Sequence, residues 1–379
     1  MSTRVRMPLV MVFLHLLFSA TPIHSDQNVV PLKTFKISEN VTYDCINIYK
    51  QPGLDHPLLK DHTIQLKPSV SKPELKNQTG NNKTYKRKMG CPDGTVLILR
   101  NSKEYINNTK LYTEKYFHPL TGDSHGTHIA GVRSRDGPYR GVEGWFSLHN
   151  YNIGRDQASY TQIYIGSGLN NQVNFIQAGW MINPSVFGET NHWSYGFWKS
   201  KDGKGCYNTA CPGFVQISQE VPIAQPLDQP GEDVLHYSIH QDKRTGNWWI
   251  TKLIPKVPNI DIGYWPKELF DLMDTGANMV GVGGAVQASR QGSSPLMGNG
   301  KFPDGGTRDS ALFADVKVVN SNYEHRRIDY FPLETLLDSP KFYWLRIGKV
   351  KILGFFFTYG GPGGNSCYNV SSSTIVYSD

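Results

Sequence analysis

From about residue 125 onward, apolar and polar positions alternate in short runs, broken by Gly, Asn, Asp and Pro at intervals of roughly eight to twelve residues. Such runs are "ASYTQIYIGSG" (158–168), "VNFIQAGWMI" (173–182), "GFVQISQEV" (213–221), "VLHYSIHQDKRTGNWWITKL" (234–253) and "ALFADVKVVNS" (311–321). A period of two marks strands with one face in a core. The fourth run is a hairpin, with a turn at Asp242–Gly246 and a return through "NWWI". Helical periodicity is scarce, and "PKELFDLMDT" (266–275) is its best candidate. No segment repeats at a fixed period. Many short antiparallel strands predict a mainly β protein, a jelly-roll-like antiparallel β-sandwich.

The amino-terminal third has another texture. "PLVMVFLHLLFSA" (8–20) follows Arg4 and Arg6 and precedes "TPIHS". A basic start, an apolar stretch too short to span a bilayer and a small-residue end predict a signal peptide over residues 1–25. Residues 26–122 read as a small α/β pro-segment with its linker, and 123–379 as the sandwich. Within the pro-segment, residues 44–69 are cut by Pro52, Pro57 and Pro68, and 69–90 is polar. "CPDGTVLILR" (91–100) is a turn and a strand, and 101–122 reads as an exposed link open to proteolysis.

Composition sharpens this picture. Hydrophobic residues make up 39% and charged residues 19%, a globular rather than disordered balance. The formal charge of +7 has no basic stripe behind it, and Lys86-Arg87-Lys88 is the longest cationic run, so a nucleic-acid partner is not expected. No later segment is apolar enough for a membrane span, and the mature chain is expected outside the cell (apoplast) or in the vacuole, as a monomer. N-x-[ST] sequons stand at Asn40, Asn77, Asn82, Asn107 and Asn369, four of them before residue 110. Five cysteines in an oxidising compartment leave at least one without an intramolecular partner. Cys206 and Cys211 are near enough to close a small loop.

Familiar chemistries are mostly missing. "HGTH" (125–128), with His118 nearby, lacks the helical His–Glu spacing of a zinc protease, and neither a metal nor another cofactor is expected. No G-x-S-x-G is present, and "YGGPGG" (359–364) lacks the Lys and helix of a phosphate loop. A β-sandwich can instead carry a carboxylate pair that activates water against a carbonyl, which requires a titratable side chain in the cleft.

Several stretches converge on one family. "DCINIYKQPGLDHPLLKDHTIQLKPS" (44–69) with "GCPDGTVLILR" (90–100) resembles the neprosin activation peptide. "HIAGV" (128–132), "FIQAGWMINPSVFGE" (175–189), "GCYNTACPGFVQIS" (205–218), "GNWWI" (246–250), "IGYWP" (262–266), "GNGKFPDGG" (298–306) and "YGGPGGNSC" (359–367) resemble the neprosin catalytic domain, in the family's order. The resemblance implies a secreted zymogen of a glutamic peptidase that cleaves at proline, folded as a β-sandwich with a long cleft. It further implies two catalytic glutamates, one in an "-I-E-A-G-W-" stretch and one in "-G-G-E-V-".

This chain departs from both. The first position holds Gln177 and the second Ala285. An amide keeps the reach of Glu but cannot take up a proton, and a methyl group can do neither job. The implied reading is a catalytically impaired protein that binds proline-rich chains, with Trp180, Trp248, Trp249 and Trp265 as stacking candidates. One alternative is an acid prolyl endopeptidase using Glu189, Glu220 or Asp274 as a shifted carboxylate; another is a non-enzymatic structural sandwich. The family's late cysteine partner is also replaced, by Phe342, which leaves Cys367 as the free thiol, while Cys206–Cys211 is kept and Cys45–Cys91 is the implied second bond.

Overall fold

The computed structural model describes residues 30–69, 89–115, 126–169, 172–201, 203–227, 233–303, 306, 310–350 and 353–365. The signal segment 1–25, the 122/123 boundary, His118, His125, Cys367 and the sequons at Asn77, Asn82 and Asn369 lie outside the described residues.

Two antiparallel sheets face each other. One orders its strands Glu334–Leu337, Thr127–Ser134, Met279–Gln287, Ala158–Leu169, Gln172–Ile182, His192–Lys199 and Gly205–Tyr207. The other runs Val215–Gln216, Ile260–Trp265, Trp248–Lys252, Val234–Gln241, Gly141–Ser147, Ala311–Val319, Gly354–Gly360 and Trp344–Val350, with His325–Arg327 added beside Ala311–Val319. The alternation read from sequence is what places the core. Ile163, Ile165, Ile176, Ala178, Val280 and Val282 are buried on the first sheet, and Leu235, Tyr237, Ile239, Val142, Phe146 and Phe313 on the second. Phe313 stacks on Phe357 at 5.1 Å and tilts against Phe146 at 5.5 Å. The expected hairpin forms, Gln241 pairing with Trp248 around the turn. This is the mainly β sandwich that the patterning predicts.

Two local expectations fail. Residues 266–275 form only a 3-10 turn, Lys267–Leu269. Leu269, at the end of that turn, and Phe270 and Met273, from irregular backbone, are buried without an α-helix, so packing overrides propensity there. The supposed exposed link, by contrast, contains the helix Lys103–Lys115. Its Tyr105, Thr109 and Tyr112 are buried at the i, i+4, i+7 spacing of one helix face, while Asn107 is exposed.

The pro-segment is a three-stranded sheet, Lys33–Lys36, Thr42–Asn47 and Thr95–Leu99, stapled by the Cys45–Cys91 disulfide. It docks through polar anchors. Gln51 donates to the carbonyl of Gln216 (3.1 Å) and accepts from its N–H (2.7 Å), so one side-chain amide occupies the open edge of the second sheet. Gln65 Oε1 accepts from Thr245, Asn247 and Trp249, and Ser69 from the pro-segment binds the Asp242 carboxylate. Leu54 and Ile64 cover Trp249 and Tyr264. Residues 31–379 cluster as one compact unit.

Candidate functional site

Ladder register decides which side chains meet. Gln177 lies directly opposite Tyr164 on one neighbour strand and Phe197 on the other. Ala285 lies opposite Tyr160 and Ile129. Directly opposed residues share a face, and Tyr160 and Tyr164 are an even number apart on one strand. Gln177 and Ala285 therefore lie on the same face, the one turned away from the inter-sheet core. Two strand spacings of about 4.8 Å and four residues of rise at about 3.3 Å separate them along the diagonal.

Between them stands Gln162, in a row that reads Gly131, Gly283, Gln162, Gly179, Tyr195 across five strands. A Cβ added at Gly179 would sit 1.9 Å from the Thr161 carbonyl oxygen, and one at Gly283 2.7 Å from that of Ala130. Glycine lets the neighbouring backbones come this close around Gln162.

Gln177 is 1% exposed and Ala285 2%. Gln177 Nε2 donates to the Tyr195 hydroxyl (2.7 Å), which in turn donates to Gln162 Oε1 (2.9 Å). The chain uses one end of each amide. The other ends, Gln177 Oε1 and Gln162 Nε2, are buried with no hydrogen-bond partner among the described residues. One unused acceptor and one unused donor in the same site have the polarity of a peptide group's own N–H and C=O. Patterning of "ASYTQIYIGSG" already put Tyr160, Gln162 and Tyr164 on one face, but nothing in the sequence alone singled out Gln162.

Phenols fill the rest of the face. Tyr160, Tyr195 and Tyr207 are buried, and their ring contacts run Tyr160–Tyr195 at 6.0 Å and Tyr195–Tyr207 at 6.0 Å. Burial, reinforced by the neighbouring phenols, pushes the Tyr160 and Tyr195 hydroxyls well above their ordinary range, so they stay protonated. The helix Lys103–Lys115 packs onto this cluster. Tyr112 meets the Tyr160 hydroxyl and the Tyr207 ring, and Tyr105 accepts from Asn208 Nδ2 at 2.9 Å. A pro-segment helix thus reaches the side chain directly opposite Ala285.

The other sequence-predicted residues lie elsewhere. Glu189 follows the short helix Pro184–Phe187 and accepts from Asn191 at 3.0 Å. Glu220 is in the loop after Val215–Gln216, at the far edge of the other sheet, and Asp274 is exposed near the end of that sheet. None of the three has a hydrogen bond to Gln177 or to a residue beside Ala285 among the interactions described. One acid unmarked in the sequence does share the site's face: Glu334, opposite Arg133 and bonded to it at 2.5 Å, with Arg135 at 3.4 Å. It lies four strands from Gln177 in the sheet order, about 19 Å at 4.8 Å per strand, and two strands from Ala285; just past the end of the same strand, Asp338 accepts from the N–H of Ile129, opposite Ala285 (2.7 Å), and bonds His128 (2.7 Å). Trp180, Trp248, Trp249 and Trp265 are all buried in packed contacts rather than lining the site face.

Both implied disulfides are formed, Cys45–Cys91 and Cys206–Cys211. Phe342 packs its ring against Gly364, where an added Cβ would lie 2.5 Å from it. Asn40 is exposed, like Asn107. Among the described residues no three His, Cys, Asp or Glu side chains gather as a metal site, and no helix is long and apolar enough to cross a membrane.

Residues 155–362 match the family model described as Neprosin, and residues 34–123 match that of the Neprosin activation peptide. Among solved structures, the chain is similar to scytalido-glutamic peptidase with a transition-state-analogue inhibitor, at 10% identity over 62% of this chain and 97% of that one, with a TM-score of 0.34. It is similar to the same peptidase with a peptide-based analogue (10% identity, 62% and 98% covered, TM-score 0.34). A third is SCP-B, of the eqolisin peptidases, with the tripeptide Ala-Ile-His (9% identity, 62% and 98% covered, TM-score 0.32).

Proposed function

The chain belongs to the neprosin family, and from that membership we propose that it is a secreted, peptidase-like precursor whose hydrolytic chemistry is silenced and whose cleft binds extended proline-rich chains. One observation carries the reading. On the face that unites Gln177 and Ala285, the side chains directly opposite them are Tyr164, Phe197, Tyr160 and Ile129, and two acids toward the sheet edge are already paired: Glu334, four strands from Gln177 and two from Ala285, with Arg133 and Arg135, and Asp338, which accepts from the Ile129 N–H, with His128. Water attack on a peptide needs a group that accepts a proton near neutral or acidic pH. Neither an amide nor a methyl group does, and phenols whose protons are held by burial do not either.

Binding is a different demand, and the same groups meet it. Phenol rings offer flat apolar faces for proline, and the unused Gln177 acceptor and Gln162 donor suit the backbone amide of a bound chain. Tyr112 of the pro-segment helix meets the hydroxyl of Tyr160, the residue opposite Ala285, and on this reading a bound chain displaces it.

The test incubates the full chain, and the full chain carrying Tyr112→Ala, with a fluorescent proline-rich peptide from about pH 2.5 to 7. No cleavage above background is expected, with tighter peptide binding in Tyr112→Ala than in the native chain. Cleavage that disappears in Glu189→Ala, Glu220→Ala or Asp274→Ala would establish the shifted-carboxylate enzyme instead. Absence of both binding and cleavage in either protein would favour the inert sandwich.

A further inference from the structure

Outside the glutamine–tyrosine site, at the turn end of the second sheet, is an open cavity of about 640 Å³. That volume is in the range of small-ligand sites. Five cationic side chains line it: Arg140, Lys201, Lys243, Arg244 and Lys267. None of the five makes a salt bridge to a described residue. Three acids also line it, but two are already engaged. Burial by itself would raise the Asp242 carboxyl, yet hydrogen bonds from Ser69, Thr245 and Arg244 hold it down to about 2, so it is ionised and its oxygens are occupied. Glu268 faces the His62 ring at 3.3 Å. Asp274 is left to answer five cations.

The cations are positioned rather than merely solvated. Arg140 Nη1 donates to Gln241 Oε1 (2.5 Å), and Gln241 is itself tied to the carbonyls of Met273 and Asp274 (both 3.2 Å). This leaves Arg140 Nε buried without a partner among the described residues. Arg140 and Lys243 both sit over the Tyr323 ring, at 5.2 and 5.4 Å from its centroid. Such contacts hold a guanidinium and an ammonium near an aromatic face without neutralising either.

We propose that this cavity binds an acidic oligosaccharide carrying carboxylates on successive sugars. The positive groups come from four separate chain segments instead of converging on one point, which suits several anionic groups spread along a ligand better than a single phosphate or sulfate. Tyr323 supplies an aromatic face, and Phe270 is the other non-polar ring in the lining. An acidic peptide would bring apolar side chains for which this lining offers little.

Calorimetric titration of the full chain with trigalacturonate at low ionic strength tests the assignment. Saturable binding that weakens with added salt is expected, with no binding of the neutral trisaccharide maltotriose. Lys243→Gln/Arg244→Gln changes two exposed turn residues and keeps the Arg244 N–H that serves Asp242, so thermal unfolding should be unaltered. This variant should bind roughly tenfold or more weakly, and Lys60→Gln, on the pro-segment, should not change binding. Four results would overturn the proposal: no binding of trigalacturonate, binding unaltered by the double variant, a hexa-aspartate peptide binding as tightly, or inorganic sulfate competing as well as the trisaccharide.

Discussion

Gln177→Glu exchanges an amide for a carboxyl of the same shape, so what it perturbs is charge. The side chain is 1% exposed, and among the described residues its hydrogen-bond partner is the Tyr195 hydroxyl at 2.7 Å. Burial disfavours the ionised form and should raise the new carboxyl by about 2–3 pKa units above its ordinary ~4.3, or ~3–4 kcal/mol at 1.36 kcal/mol per unit. Tyr195 can turn its proton from Gln162 to the new carboxylate, a charge-assisted bond worth about 1.5–3 kcal/mol. The net penalty is then about 1–2 kcal/mol. Its sign follows from linkage. An acid whose folded pKa is raised costs nothing below its unfolded pKa and destabilises increasingly as pH rises through the folded value. The variant should therefore match the native chain at about pH 4 and fall below it by ~1–2 kcal/mol at pH 7, read as the difference in urea unfolding free energy between the two proteins at each pH. Subtracting the native chain cancels all other titrating groups. A difference that is flat with pH would mean that position 177 is solvated and the enclosed site misread. The same logic extends to activity. Gln177→Glu/Ala285→Glu in the Tyr112→Ala background should raise cleavage of a proline-containing peptide by ~10²-fold or more over the single-substituted parent. A well-folded variant with no gain would show that the face lacks more than its two acids.

Four further outcomes follow from the packing. Gly179→Ala places a Cβ against the Thr161 carbonyl and should cost about 3 kcal/mol or more in urea unfolding, whereas a neutral result would mean that the strands are farther apart than described. Cys45→Ser/Cys91→Ser opens a bond with a sequence separation of 46 and should lower stability by about 4 kcal/mol on the chain-entropy estimate, with earlier proteolysis of the pro-segment. Burial, with the nearby His192, lowers the His149 pKa to about 4; stability from this depression is whole above about 6.5 and is lost as pH falls towards 4, by about 3 kcal/mol, a slope that His149→Gln should flatten. At the pro-segment interface the His62 imidazole is lowered by burial despite the opposing pull of Glu268, so acid should loosen docking in the same direction, reported by Trp249 fluorescence as its cover is lost.

How much could be read beforehand differs from element to element. The strand containing Gln177 was legible because its alternation is the direct imprint of one buried face. The helix Lys103–Lys115 was not, because its three buried side chains are two tyrosines and a threonine among sequons and lysines, and their partners Tyr160 and Tyr207 are distant in the chain. The stretch 266–275 misled in the opposite direction, since its apolar spacing fits a helix while its side chains fill gaps from an irregular backbone.

By itself, the sequence determined the β class, the family and which residues, Gln177 and Ala285, stand where the resemblance implies two glutamates, because strand periodicity and motif spacing are local properties. Only the tertiary structure decided that Gln177 and Ala285 share a face, that Gln162 stands between them, that a pro-segment tyrosine meets the tyrosine opposite Ala285 and that five cations without a salt bridge to a described residue line a second cavity. Those facts depend on ladder register and on contacts between residues tens of positions or more apart, and a shift of one residue in register would turn Gln177, Gln162 or Ala285 to the opposite face.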